Sequence, residues 1–235
     1  HFLKAAFGVS SPSTVLSGFL YNIDFTPQES DTASVNPLPA YTFEVFRDVT
    51  SSQQYDGCVL SQVEFSMIPN QDIRATAAFV GKASRNIAKT TPSFPGSPVA
   101  PFTFETASVS IGGAGTTDLI EALTLTINNQ LEGVPAMNVS TTVARVRRTG
   151  PVMISLGGTM EFLNITDRDR FINQTETAVT ASVTRTDSFK MVVDMPRFVY
   201  SAYPLGQAGR DRNVVSFEGK ARYHVGSKNA LKITL

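Results

Sequence analysis

Alternation with a period of two restricts this chain more than any other feature. Across residues 214–223, Val215, Phe217, Gly219, Ala221 and Tyr223 fall on one side, and Ser216, Glu218, Lys220 and Arg222 on the other. Successive side chains of a strand point to opposite faces, so the pattern reads as a half-buried β-strand. It recurs at 151–162, where Val152, Ile154, Leu156, Met160 and Phe162 share a face, and at Phe189, Met191, Val193 and Met195. Further strands are expected at 41–49, 59–68, 72–80, 104–111, 119–128, 139–147, 179–185 and 231–235. Pro69-Asn70-Gln71 reads as the turn of a hairpin, in which Val63, Phe65, Met67, Ala75 and Phe79 face the core. The opposite face of that hairpin carries Glu64, Ser66, Arg74 and Thr76. Asp56-Gly57 reads as a turn, Thr186-Asp187-Ser188 as a second hairpin turn, and Pro196 as the end of a strand. A chain of this kind is mainly β, and its function is expected in surfaces and edges.

Two segments read as helical. Phe2, Leu3, Ala6 and Phe7 line one face of a helix end, with Gly8 placed to terminate it. The second spans 166–174, with Thr166 as cap, Asp169 three residues on, and Phe171 and Ile172 as the apolar side. Between 9 and 40, Pro12, Pro27, Pro37 and Pro39 oppose long paired strands. The chain therefore divides into an irregular N-terminal arm, 1–40, and a β domain, 41–235. His1 opens the chain without a methionine, and further sequence is expected before it; HFLKAAFG has no charged leader of a signal peptide. Residues 82–102 form a long loop with four prolines. Its Lys89, Phe94, Val99 and Phe102 are candidate contacts with another subunit, because long loops in compact domains are functional or disordered.

The residues that carry chemistry are scarce. Cys58 is the one cysteine, and His1 and His224 are the two histidines. No catalytic residue, cofactor site or metal site is read from them, and Cys58 reads as a small buried hydrophobe. Lys+Arg and Asp+Glu both number 20, so there is no basic surplus of the kind a dedicated nucleic-acid binder carries. No apolar run approaches the roughly 20 residues that span a bilayer. Gly112-Gly113-Ala114-Gly115 leads into a strand without the Lys-Ser/Thr of a phosphate loop, so it reads as a turn. Asp167-Arg168-Asp169-Arg170 reads as helix-start charge in preference to a metal site. Arg145, Arg147 and Arg148 form a basic cluster, either a solvated strand end or a contact for an acidic partner. Asn138, Asn164 and Asn173 begin glycosylation triplets that read as incidental. The absence of tryptophan weighs against sugar-stacking clefts.

Several stretches, taken in order, resemble the tail tube proteins of long-tailed bacteriophages. They are YTFEVFRDV with YDGCVLSQVEFSM, IRATAAFVGKA, LIEALTLTINNQLEG, GPVMISLGGTMEFLNITDRDRFIN, MPRFVYSAYPLG and FEGKARYHVGSKNALKITL. The likeness covers residues 40–235. It implies an antiparallel β-sandwich or barrel with a flanking short helix, whose copies join into six-fold rings with a continuous inner barrel. It implies rings stacked into a hollow tube that conducts DNA without binding it specifically, no enzymatic activity, other tail proteins as partners, and a place in the virion, assembled in the host cytoplasm. Glu64, Ser66, Arg74 and Thr76 are then lumen candidates. Lys89, Phe94, Val99, Phe102, Arg145, Arg147 and Arg148 are candidates for contacts between subunits or rings. A baseplate hub or tail terminator, and a carbohydrate-binding β-sandwich, are the alternatives.

Overall fold

The computed structural model describes residues 2–8, 14–16, 20–27, 38–47, 51–93, 101–115, 120–137, 142–162, 165–185, 189–204 and 213–235. In chain order the elements are α1 (Phe2–Phe7), β1 (Thr14–Leu16), β2 (Leu20–Asn22), β3 (Asp24–Phe25), β4 (Ala40–Val45), β5 (Ser52–Met67), β6 (Arg74–Val80) and β7 (Ala83–Ile87). A 3-10 turn (Phe104–Thr106) leads to β8 (Ala107–Ile111), β9 (Ala114–Gly115), β10 (Ile120–Asn128), β11 (Leu131–Val134), β12 (Arg145–Arg148) and β13 (Met153–Glu161). The chain ends with α2 (Thr166–Ile172), β14 (Thr177–Thr184), β15 (Lys190–Ala202), β16 (Val214–Ala221) and β17 (Lys232–Thr234). The strand pairing is antiparallel.

Two layers share β15. The first runs β6–β5–β10–β13–β16, and the second β3–β17–β15–β14–β8–β9. The first part of β15 pairs β14 and β17, while its end, from Phe198, pairs β16. The alternating apolar residues of both layers meet in one core. Val63, Phe65, Leu125, Ile127, Ile154, Leu156, Met160, Val215 and Phe217 come from the first layer. Val109, Ile111, Val179, Ala181, Val183, Met191, Val193, Met195 and Ile233 come from the second. The fold is thus an antiparallel sandwich with a flanking short helix, as the alternation and the resemblance imply.

Local chemistry sets the turns. Pro69 and Asn70 occupy the centre of the β5–β6 turn; Asn70 has φ 59°, and the Gln71 N–H donates to the Ile68 carbonyl at 3.3 Å. Proline followed by a residue with positive φ is the type II pattern. Gly112 and Gly113, both with positive φ, join β8 to β9, which is the geometry of a two-residue hairpin turn. Gly8, at φ 81°, ends α1 with its N–H on the Lys4 carbonyl at 2.9 Å.

Four local expectations are corrected. Asp56-Gly57 is no turn: it lies inside β5, where Tyr41 faces Cys58 but Phe43 faces Tyr55. The extra residue is a bulge, made possible by Gly57 at φ 64°. Pro196 does not end its strand. Thr177 faces Phe198 and Val179 faces Met195, so an irregularity in the ladder absorbs the missing N–H. Residues Ala83–Ile87, expected within a loop, form β7 and extend the return of the hairpin along β5; the irregular stretch begins at Ala88. Thr166 is the first helical residue of α2, and Ile165 is its N-cap with no side-chain capping bond.

The helix α2 is held by polar contacts more than by an apolar stripe. Ile172, expected to pack, is 63% exposed, while Phe171 stacks on Tyr203 with ring centroids 6.5 Å apart. Asp167, only 5% exposed, accepts hydrogen bonds from Arg170 Nη1 at 2.7 Å and Tyr200 Oη at 3.1 Å. Burial, with Asp167 close by, pushes the Tyr203 phenol up to about 12 and raises that of Tyr200 further. Both rings therefore stay neutral, and Tyr200 remains a donor.

The irregularity of β15 is clasped by Arg197, whose Nε and Nη2 reach the Glu176 carboxylate at 2.6 and 2.5 Å; Arg222 adds a contact at 3.3 Å. The hydrogen bonds from Arg197 hold the Glu176 carboxyl below its ordinary value of 4.5. A depressed folded pKa contributes stability above the unfolded value, and that contribution is lost as pH falls through the folded one. Melting temperatures measured from about pH 7 down to about pH 3 should therefore fall less for Glu176→Gln than for the parent. Superimposable acid limbs would show that the clasp contributes nothing.

Candidate functional site

Opposite the core, the sheet β6–β5–β10–β13–β16 presents a largely polar face, with Met153 and Val214 as exposed apolar side chains near its ends. Its register can be followed across all five strands. One row runs Arg74, Ser66, Thr124, Gly157, Glu218, and a second runs Thr76, Glu64, Thr126, Ser155, Lys220. Between them lies the core-facing row Ala75, Phe65, Leu125, Leu156, Gly219. Adjacent rows alternate because successive Cβ atoms alternate. The two polar rows hold short hydroxyl side chains and a glycine, and Glu64 and Glu218 balance Arg74 and Lys220. Thr124, Thr126, Ser155, Gly157, Thr159, Ser216 and Glu218 line a shallow trough along this face.

Glu64, Ser66, Arg74 and Thr76 thus lie together, with Glu64 opposite Thr76 and Ser66 opposite Arg74. Glu64 and Ser66 are half-buried, Arg74 and Thr76 exposed. On the other face Val63, Phe65 and Met67 are buried, while Ala75, expected in the core, is exposed at the sheet edge. The reading of residues did not join Thr124, Thr126, Ser155, Glu218 and Lys220 to this face. The alternation in LTLTIN carries the signal, but which strands are neighbours is a long-range property that periodicity does not encode.

The remaining candidates are scattered. Arg145 and Arg147 are exposed on β12, which pairs with β11 as a separate two-stranded ribbon that places Arg147 opposite Glu132. Arg148 is half-buried and donates to Asn129 Oδ1 at 3.4 Å. Asn129 in turn donates to the carbonyls of Ala6 and Leu60, each at 3.1 Å, fastening α1 to β5. Lys89 is exposed with its ammonium 3.9 Å above the Phe46 ring, and the adjacent Thr90 N–H donates to Glu44 at 3.0 Å. This segment therefore runs back along β4. Phe102 is half-buried under the Arg185 guanidinium, and Phe94 and Val99 lie outside the described residues.

Among the described residues, no group of three His, Cys, Asp or Glu side chains is placed to hold a metal. Cys58 is buried, its Sγ 3.6 Å from the Tyr55 carbonyl, and burial raises its thiol pKa, which is the opposite of what a nucleophile needs. No described helix is long and apolar enough to cross a membrane. What the molecule offers is an extended, charge-balanced polar sheet over an apolar core.

The family model described as "Phage tail tube protein" matches residues 1–222. A search of curated proteins finds no match.

The assignment of faces is tested by adjacent substitutions. Ser66→Asp should change stability by no more than about 0.5 kcal/mol, as surface substitutions do. Phe65→Asp should cost several kcal/mol, because it buries an unpaired charge. Thermal melts followed by circular dichroism distinguish them, and equal damage at both positions would mean that the faces are wrongly assigned.

Proposed function

The chain belongs to the phage tail tube protein family, and from this premise we propose that it is the repeating subunit of a hollow, DNA-conducting tube. Membership makes it a structural protein of the bacteriophage tail, located in the virion, that assembles with itself and with other tail proteins. The finer reading is that copies close into six-fold rings, that rings stack into the tube of a long-tailed phage, and that the polar face of β6–β5–β10–β13–β16 lines the channel.

The observation that carries this reading is the pair of polar rows crossing all five strands. A conduit wall has to be wetted and not strongly basic. Each phosphate captured by Lys or Arg adds salt-dependent affinity, and many such contacts along a tube would hold the genome in place. Here Arg74 and Lys220 are matched by Glu64 and Glu218. The more basic β12, with Arg145, Arg147 and Arg148, sits on the separate ribbon, so these arginines are assigned to subunit contacts or solvent. Lys89 and Phe102, with Phe94 and Val99, are assigned to contacts with a neighbouring subunit or ring.

Electron microscopy of the purified chain in negative stain should show tubes of uniform width. Closed rings that never stack would favour a terminator or hub, and persistent monomers would contradict the assignment. In a Cys58→Ala background, Ser66→Cys in assembled tubes should react with a small maleimide but not with one coupled to a large protein. Equal reaction with both reagents would place Ser66 on the outer wall.

A further inference from the structure

We propose that His224 makes the turn 224–229 proton-sensitive: the neutral imidazole closes this turn, which leads into β17, and protonation of Nδ1 releases it. The device would operate in a free subunit and in an assembled one alike.

Four contacts meet at this turn. The His224 N–H donates to the Asn229 carbonyl at 2.9 Å, and the Ser227 N–H donates to His224 Nδ1 at 3.1 Å. Ser227 Oγ lies 2.8 Å from the same Nδ1 and 3.3 Å from Asn229 Oδ1. A ring nitrogen that accepts a backbone N–H carries its lone pair there, so the neutral ring holds its proton on Nε2. A proton added to Nδ1 removes that acceptor. The new Nδ1–H then donates to Ser227 Oγ, whose own hydroxyl proton turns to Asn229 Oδ1, and the Ser227 N–H is left directed at another N–H. The turn has little to spare. Lys228 is held at φ 54°, where a side chain is disfavoured, and the ring lies against Gly226, where a Cβ would meet Cε1 at 3.0 Å.

The surrounding charges act in the same sense. His224, Val225 and Gly226 share a depression with Glu176, Pro196 and Arg197. Arg222 and Tyr223 precede the ring in the chain, and Lys228 follows it. Among these groups Glu176 is the carboxylate, and Arg197 and Arg222 already hold it, at 2.5 and 3.3 Å. On β17, Lys232 is paired with Asp24 at 3.0 Å. An imidazolium here adds a cation beside cations and gains no free carboxylate among them. What the turn positions is Asn229, itself buried, and then the fully buried Leu231 and Ile233 of the segment that pairs with both β15 and β3. Histidine changes charge between about pH 5 and pH 8. Glu176, held below its ordinary value of 4.5, stays ionised through that range, so its clasp on Arg197 does not titrate there.

Hydrogen exchange read by mass spectrometry on peptides spanning 224–235 tests this in free or assembled protein. Labelling is done at about pH 8 and about pH 5.5, on either side of histidine titration, with times scaled to the intrinsic exchange rate. The parent should lose protection about three- to tenfold at the lower pH, the worth of one backbone hydrogen bond. His224→Asn offers an amide oxygen to the Ser227 N–H, as Asn does in local turns, and does not titrate; it should keep its protection at both pH values. His224→Ala should lack that protection at both. Equal protection of the parent at the two pH values would overturn the proposal. So would a pH effect that persists in either variant, which would place the titrating group elsewhere.

Discussion

Both edges of β5 are hydrogen-bonded, and to four different strands. One edge carries β6 and then β7, and the other carries β10 and then β4. The rest of the structure depends on this ladder. Its second half, with Val63, Phe65 and Met67 pointing inward, supplies the first layer of the core. Its first half extends beyond the sandwich as a three-stranded arm with β4 and β7. The bulge at Asp56-Gly57 lies between the two halves, and the side chain of Lys82 packs within 3.1 Å of where a Cβ on Gly57 would sit. A single strand therefore fixes the register of the first layer and the direction of the arm.

The polar face follows from the same ladder. Once Phe65 is committed to the core, the pleat turns Ser66 and Glu64 outward, and pairing hands that choice to Thr124, Thr126, Ser155 and Lys220 in turn. A slip of one residue would present Phe65, Leu125 and Leu156 to water, so the apolar core enforces the character of the opposite surface. Stability and the character of the proposed channel lining are coupled through geometry alone: no special side-chain chemistry is needed to make a charge-balanced polar face.

Much of this was legible in the sequence where the determinants are local. The alternation in β13 and β16, the Pro69-Asn70 turn, the end of α1 at Gly8 and the β14–β15 pairing depend on residues close together. Local signals mislead where tertiary context overrides them. Asp56-Gly57 has the composition of a turn, yet partners on both edges hold it in a strand. Pro196 breaks a ladder in isolation, but the irregularity and the Arg197–Glu176 clasp let β15 continue and join the two layers. Ile172 looked like a packing residue, whereas the burial of Asp167 against Tyr200 sets which side of α2 faces the sheet. For the candidate site, the shared face of Glu64, Ser66, Arg74 and Thr76 on one hairpin was readable by parity. Their continuation over β10, β13 and β16 was not, because strand order is decided by contacts distant in sequence.

In the proposed tube, the face bearing Ser66, Thr124 and Ser155 lines the channel. A cryo-electron microscopy reconstruction of tubes formed by the full chain measures this directly. In that map the two polar rows should surround the axis, α2 should lie on the outer side of the wall, and Arg145 and Arg147 should point away from the channel. A map with that polar face on the outer surface, or with those arginines ringing the lumen, would contradict it.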